Sequence, residues 1–274
     1  MTNKIVVPLA RLAERVCDGA KLAVPKDTSG VAMRATRELV RRGVRDLHLV
    51  CVPTSGIQAD ILIGAGAVRT LETSAITLGE FGGGPRFAEA LRDGKIVMRD
   101  ATCPAVYAAL QAAEKGIPFM PLRGLIGSDL MKHRSDWKVV DNPFKESDPI
   151  AVLPAIQPDV SLFHTTLADR FGNVFVGRER ELITMAHASR ETLVTVEQIT
   201  DENLLDDDSR AGGVLPAIYV SQIAVAKRGA WPLALGDLYH DDEATLARYA
   251  MLARTREGFG QFVEEWLNTE TADA

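Results

Sequence analysis

The sequence predicts an α/β fold: a mostly parallel sheet of βαβ units flanked by helices, with a mixed sheet in the second half. Short apolar runs alternate with helix-period segments as far as Leu122. Glycines at 43, 94 and 116 stand where each helical pattern stops. Beyond about residue 137, β-rich runs follow one another with only a turn between them. The first pattern is that of βαβ crossovers, the last that of hairpins and neighbouring strands.

KLAV (21–24) reads as a strand, followed by a helix over 31–43 in which Val31, Ala35 and Leu39 share a face and Gly43 supplies the C-cap. LHLVCV (47–52) is the next strand, followed by the apolar IQADILIGAG and by VRTLETSAITL. Pro85 suits the first position of a helix ending at Gly94. IVM (96–98), the helix AVYAALQAAEK closed by Gly116, and IPFMPL complete the rhythm. In the second half IAVLPAI and DVSLFHTTL are strands, and DRFGN (169–173) turns into VFV (174–176) as a hairpin. A helix around ELITMAHA precedes the strand ETLVTVEQIT, with Val194 and Val196 on one face, and AIYVSQIAV is a further strand. The closing helix, 258–267, carries Phe259, Phe262, Val263 and Trp266 at i, i+3, i+4, i+7.

The chain of 274 residues, 46% hydrophobic and 25% charged, is expected to form one soluble globular unit over 1–274 with a sizeable core. A net charge of −6 argues against a nucleic-acid surface. The apolar runs are far shorter than the roughly 20 residues of a membrane span, so no membrane partner is expected. Pro8 and Arg11 interrupt the N-terminal apolar stretch, so no secretory signal is expected there. Cys17, Cys51 and Cys103 lack CxxC spacing, as reduced cytoplasmic thiols would.

Open parallel sheets bind ligands at the carboxyl ends of their strands. The loops there are 24-VPKDTSGV-31, 52-VPTSGI-57, 78-LGEFGGGP-85 and 99-RDATCP-104. Each offers backbone N–H groups at a helix start, and all but the glycine-rich third add small hydroxyl side chains, which suits an anionic ligand. The candidate substrate-binding residues are therefore Lys26, Thr28, Ser29, Thr54, Ser55, Gly56, Phe81, Gly82, Gly83 and Gly84. The bland alternative is that Thr28, Ser29, Thr54, Ser55 and Thr102 are helix caps. Glu80, among glycines, is a candidate nucleophile or base, or else caps amides or pairs with Arg86. Cys103, at a helix start that favours a thiolate, is a candidate too, against the commoner lone buried cysteine.

Other signatures are missing. G64-A-G66 does not complete GxGxxG, and neither a GxxxxGK[ST] loop nor a GxSxG elbow occurs. The histidines at 48, 133, 164, 187 and 240 form no HExxH or HxH group, so no metal is expected. Asp206, Asp207 and Asp208 read as a solvated loop, and Arg34, Arg37, Arg41, Arg42 and Arg45 as a wet helix face and end.

The collinear series Asp18-Gly19, 45-RDLHLV-50, 61-ILIGAGAVRTL-71, 116-GIPFMPLRGLIGSDL-130, 141-DNPF-144, 157-QPDVSLFHTTLADRFGNVFV-176, 194-VTVEQIT-200 and 257-EGFGQFVEEWL-267 resembles the A (alpha) subunit of two-subunit family I CoA-transferases, most closely the glutaconate CoA-transferase type. The resemblance runs from about residue 10 to 268. It implies an enzyme that moves CoA between an acyl-CoA and a carboxylic acid, with the CoA thioester as substrate and no tightly bound cofactor. In that family a glutamate of the B subunit, in a Ser-Glu-Asn-Gly setting, attacks the thioester in a ping-pong cycle. No Ser-Glu-Asn-Gly occurs here, so the resemblance assigns the nucleophile to a partner in a heterodimer or heterotetramer and leaves this chain the pocket walls, with GGG opening a ligand-facing helix start. Two departures fall on those walls: Pro25-Lys26-Asp27 and then TSG stands where relatives carry Gly-Gly-Phe, and PTSG where they are often glycine- or asparagine-rich. Both loops are pocket walls, so the departures bear on which substrates fit and not on the fold.

A cousin branch hydrolyses a carbon–carbon bond in steroid-ring CoA thioesters with an acid in the loop that here reads RDATCP; Cys103 takes that place and Asp100 is the acid beside it. A ligand-sensing module is the remaining alternative, set back by the acidic charge and the lack of a DNA-binding segment.

Overall fold

The computed structural model describes residues 5–268. Helix α1 (Leu9–Ala13) leads into β1 (Lys21–Pro25), after which come α2 (Met33–Arg42), β2 (Leu47–Val52), α3 (Ile57–Gly64), β3 (Val68–Thr73), α4 (Pro85–Arg92), β4 (Val97–Asp100) and α5 (Cys103–Glu114). A second group follows: β5 (Phe119–Leu122), α6 (Leu130–His133), β6 (Lys138–Val140) and β7 (Ile150–Pro154). The rest is β8 (Val160–Asp169), β9 (Val174–Phe175), α7 (Arg180–Ala188), β10 (Glu191–Thr200), α8 (Asp208–Ala211), β11 (Val214–Leu215), β12 (Gln222–Val225), α9 (Glu243–Leu252) and α10 (Arg256–Asn268).

The main sheet has nine strands. Its parallel body runs β12-β10-β8-β1-β2-β3-β4, and the short antiparallel pair β9-β11 lies against the far end of β8. A separate antiparallel sheet has the order β5-β7-β6. Strand alternation sends Leu22, Val24, Leu47, Leu49 and Cys51 to one face, under α2 and α3. Ala23, Val50, Val52 and Phe163 point to the other, against α5 and α7. A third cluster joins Ile57 and Ile61 of α3 to Tyr249, Phe259, Phe262 and Trp266 of the last two helices. Gly43 ends α2 at φ 67°, a left-handed position that a residue with a Cβ adopts only at a cost.

The predicted fold class holds, and the departures from it are local. IPFMPL reads as the last strand of the βαβ rhythm and IAVLPAI as a strand of the second half, yet β5 and β7 pair with each other antiparallel, away from the main sheet. The segment 217–225 is strand only from Gln222; Ala217–Tyr219 forms a 3-10 turn, with the Ala217 amide drawn to Asn173 Oδ1 at 2.9 Å. Helix α9 is not among the expected elements, because it buries only Tyr249 and Ala250 and so carries no broad apolar stripe. Arg37, expected on a wet face, is 7% exposed because α10 covers it, and its Nη1 points to the Trp266 carbonyl at 3.5 Å.

Candidate active site

The four loops that leave the carboxyl ends of β1 to β4 are laced together. Asp27, in the first, accepts the Gly56 amide on Oδ1 at 2.9 Å and the Ile57 amide on Oδ2 at 3.2 Å. The second loop bridges to the third: the Thr77 amide donates to the Ser55 carbonyl at 3.0 Å and the Ser55 amide to the Ala75 carbonyl at 3.3 Å. Ser74 Oγ donates to the Pro53 carbonyl at 2.9 Å and contacts Cys103 Sγ, on the fourth loop, at 3.1 Å. Gly56 has no room for a side chain, since a Cβ there would stand 2.1 Å from Asp27 Oδ2 and 2.4 Å from the Thr77 carbonyl oxygen.

Lacing consumes the helix-start amides. Those of α3 are held by Asp27, and those of α4, on Arg86 and Phe87, by Asp60 at 3.3 and 2.7 Å. The Arg34 amide of α2 goes to the Gly229 carbonyl, and Thr102 Oγ1 caps α5 by accepting the Ala105 amide at 3.3 Å. The expected row of amides free for an anionic guest is thus corrected: at the starts of α3 and α4 two carboxylates of the chain itself, half-buried Asp27 and buried Asp60, occupy the anion positions. The GGG run in particular does not open a ligand-facing helix, because a Cβ on Gly84 would meet Asp60 Oδ1 at 2.4 Å. Burial pushes the Asp27 carboxyl up to about 6, against the pull of its two amides, and raises Asp60 despite the Tyr249 hydroxyl donating to it at 2.7 Å.

Two cavities open at this edge. One, of about 390 Å³, lies between Asp27 and Thr28 of the first loop, Leu78–Phe81 of the third, the 233–236 segment and the start of α9. The other, of about 330 Å³, is walled by Thr28–Gly30, His164–Thr166, the 175–179 turn and Leu235–Asp237. Both volumes fall in the range of small-molecule sites. Thr28 and Gly236 line both, so the chambers adjoin. The second contains the hydroxyl of Thr165, buried and without a hydrogen-bond partner among the described residues, and a cation, Arg178.

Beneath the second chamber lies a buried polar network. Glu197 Oε1 accepts from His164 Nε2 at 3.0 Å, Gly229 N at 3.0 Å and the Tyr239 hydroxyl at 2.9 Å, and Oε2 accepts the Arg228 amide at 2.9 Å. His164 Nδ1 contacts Thr195 Oγ1 at 2.9 Å. Burial works to raise the Glu197 carboxyl, but this ring of donors, His164 foremost, outweighs it and holds the group at about 2. Burial also lowers His164, so the pair is a neutral imidazole donating to a carboxylate. Gly30 roofs the network: its φ is +81°, and a Cβ there would stand 2.0 Å from the His164 carbonyl oxygen.

The candidate residues divide accordingly. Thr28, Phe81 and Glu80 line the first chamber. Ser29 is buried and hydrogen-bonds Glu179 and Glu181, while Lys26 Nζ pairs with Glu181 at 2.9 Å. Thr54, Ser55 and Gly56 belong to the laced second loop and line neither chamber. Gly82, at φ 96°, and Gly83 are exposed beside the first chamber, and Gly84 is packed on Asp60. Arg86 pairs with Glu89 at 2.7 Å and not with Glu80, and its guanidinium lies over the Phe259 ring. Of the hydroxyls weighed as caps, Thr102 alone caps a described helix; α2 and α3 begin at Ala32 and Gly56 without side-chain caps. Cys103 is exposed at the first position of α5, and the backbone carbonyl of Asp100 accepts from Arg134. Residues that sequence reasoning missed are Asp27, Asp60, His164, Glu179, Glu181 and Glu197. A signal existed for the pair: His164 and Glu197 are the lone ionisable residues inside the strand runs SLFHTT and VTVEQIT.

Comparison with known proteins agrees with this architecture. Residues 8–226 match the family model described as coenzyme A transferase. The chain is 30% identical to the A subunit of the 3-oxoadipate CoA-transferase of Pseudomonas knackmussii, over 96% of this chain and 93% of that one. It is 29% identical to the A subunit of the glutaconate CoA-transferase of Acidaminococcus fermentans, over 85% and 78%. To the cholesterol ring-cleaving hydrolase IpdA subunit of Rhodococcus jostii it is 29% identical, over 88% and 84%. Among solved structures, the Acidaminococcus fermentans glutaconate coenzyme A-transferase superposes with a TM-score of 0.88 at 27% identity, covering 96% of this chain and 89% of that one. A variant of the decarboxylase AibA/AibB superposes with a TM-score of 0.85 at 29% identity, covering 98% and 100%.

Proposed function

The chain belongs to the coenzyme A transferase family, and on that premise we propose that it is the A subunit of a two-chain enzyme whose nucleophilic glutamate comes from a B subunit. In this reading residues 1–274 act as one unit of the A type. The partner's carboxylate attacks the acyl-CoA carbonyl and expels CoA thiolate, leaving an acyl-glutamyl anhydride. The thiolate then attacks the glutamyl carbonyl, releasing the carboxylic acid and leaving a glutamyl-CoA thioester. An acceptor carboxylate reverses both steps and departs as its own CoA ester.

The supporting observation is the laced edge opening onto two adjoining, mostly apolar chambers, of which the second holds Arg178 and the unpaired Thr165 hydroxyl and the first is lined by carboxylates. The second chamber, with the unpaired Thr165 hydroxyl and Arg178 on its wall, suits the amide-bearing arm of CoA. Glu80 lies on an exposed 3-10 turn, away from Arg86, which favours a wall over a nucleophile. The test is purification with and without the partner chain. Transfer is expected from the pair alone, and transfer by the isolated chain overturns the assignment. Ring cleavage or decarboxylation, as the relatives' names describe for those proteins, is distinguished by product analysis: transfer needs an acceptor acid and those reactions do not. The start of α5 presents Cys103 and no carboxylate, which favours transfer.

A further inference from the structure

The two transferase relatives carry the names of dicarboxylic acids, so a cation in the acyl pocket is the feature to look for. Among the described residues the first chamber has none. Its ionisable lining residues include Asp27, Glu80, Asp241 and Glu243, and no lysine, arginine or histidine is among them. The remainder of its surface is mostly apolar: Leu78, Phe81, Leu233, Leu246 and the ring of Tyr249, whose hydroxyl is turned away to Asp60. The arginine bordering these chambers, Arg178, lies in the other.

We infer that the first chamber receives the acyl group, and that this group is neutral and apolar, without a terminal carboxylate. The inference rests on the transferase-family reading of the edge. A carboxylate entering here would be desolvated against leucine and aromatic side chains, with like charges on the chamber wall and no compensating cation among the described lining residues. A hydrocarbon chain or ring gains the burial of its surface instead. Glu80 and Asp241 are exposed side chains at the rim, so they repel an anion at entry without needing to be buried themselves. Asp241 is fixed there by accepting the Ala234 amide at 2.7 Å.

The test compares thioesters of one chain length: hexanoyl-CoA, adipyl-CoA and 6-aminohexanoyl-CoA, titrated by calorimetry into the full chain together with the partner chain that co-purifies with it. Hexanoyl-CoA is expected to bind at least about tenfold more tightly than adipyl-CoA, the scale of one unfavourable buried charge. The double variant Glu80→Gln, Glu243→Lys is expected to bind adipyl-CoA more tightly than the parent does and so to narrow that ratio. Equal or tighter binding of adipyl-CoA by the parent, or a preference for the aminohexanoyl ester, overturns the inference. A ratio unmoved in the variant overturns the placement of the acyl group in this chamber. Because the readout is binding, a protein that prefers hexanoyl-CoA yet transfers CoA to no acceptor sinks the transferase reading and leaves the acyl preference standing. Transfer with a preference for adipyl-CoA does the reverse.

Discussion

Glu197 is an ionised carboxylate in a strand interior, only 7% exposed, and it depends on four donors for its charge. Its carboxyl sits at about 2 when folded against an ordinary 4.5, so it contributes stability above about pH 4.5 that is lost as pH falls towards 2. That contribution is on the order of 3 kcal/mol. His164 acts with the same sign at higher pH: the folded state resists its protonation, so stability falls as pH drops below its ordinary 6.5. Asp27 opposes it, because a carboxyl raised to about 6 binds its proton more readily in the folded state and gains stability as pH falls through 6. Urea unfolding at a series of pH values is therefore expected to show a shallow slope between pH 6.5 and 5 and a steep loss below 4.5. Glu197→Gln should unfold more easily at pH 7 yet lose much less between pH 4.5 and 2. An acid limb identical to that of the parent protein contradicts the assignment.

Loops and helix starts set the shape of the edge. Gly56→Ala forces a methyl into Asp27 and the Thr77 carbonyl and should destabilise by about 1–3 kcal/mol through overpacking. Gly83→Ala, where nothing lies within 4 Å, should stay within about 0.5 kcal/mol of the parent. Thermal melts of the two variants check this contrast, and equal shifts would show that the lacing is not tight. Helix α9, which closes the first chamber, starts at Asp242: its carboxylate accepts the Thr245 amide at 3.0 Å and the Trp231 indole N–H at 3.1 Å. Asp242→Ala is expected to lose about 1 kcal/mol from the cap, read as a lower urea midpoint.

Across the molecule, one side chain ties the small antiparallel sheet to the large parallel one. Arg134, 4% exposed, donates to Glu72 of β3 at 2.7 Å, to Asp136 at 2.9 Å and to the Asp100 carbonyl at 3.1 Å, and lies 4.3 Å from the Trp137 ring centre. Glu72 is 2% exposed and has His48 as its other partner. Arg134→Met leaves that carboxylate buried without its cation and should cost about 3–5 kcal/mol. Hydrogen exchange is expected to quicken in β5, β6 and β7 while β1 and β2 keep their protection. Uniform loss of protection would mean that the two sheets unfold as one.

Much of this was legible in the residues. Apolar periodicity marks α2, α5 and α10 and the strands β1, β2, β8 and β10, because each buries a face whose spacing is written locally. The collinear segments from Asp18-Gly19 to 257-EGFGQFVEEWL-267 pointed to the family, because a chain that keeps its core positions keeps its fold. Which sheet β5 and β7 join is not local information, since a short apolar strand pairs with whatever edge the chain brings to it. Nor is the fate of the loop amides. Ser55 and the GGG run look alike as helix-start residues, but Asp27 and Asp60 arrive from other parts of the chain and take the anion positions there first. Partners 29, 33 and 189 residues apart, as in Asp27 with Gly56, His164 with Glu197 and Asp60 with Tyr249, meet only when the sheet and its helices have closed around them. Local pattern records what each segment must bury; it is silent on which buried charge finds which donor, and at this edge that pairing shapes the site.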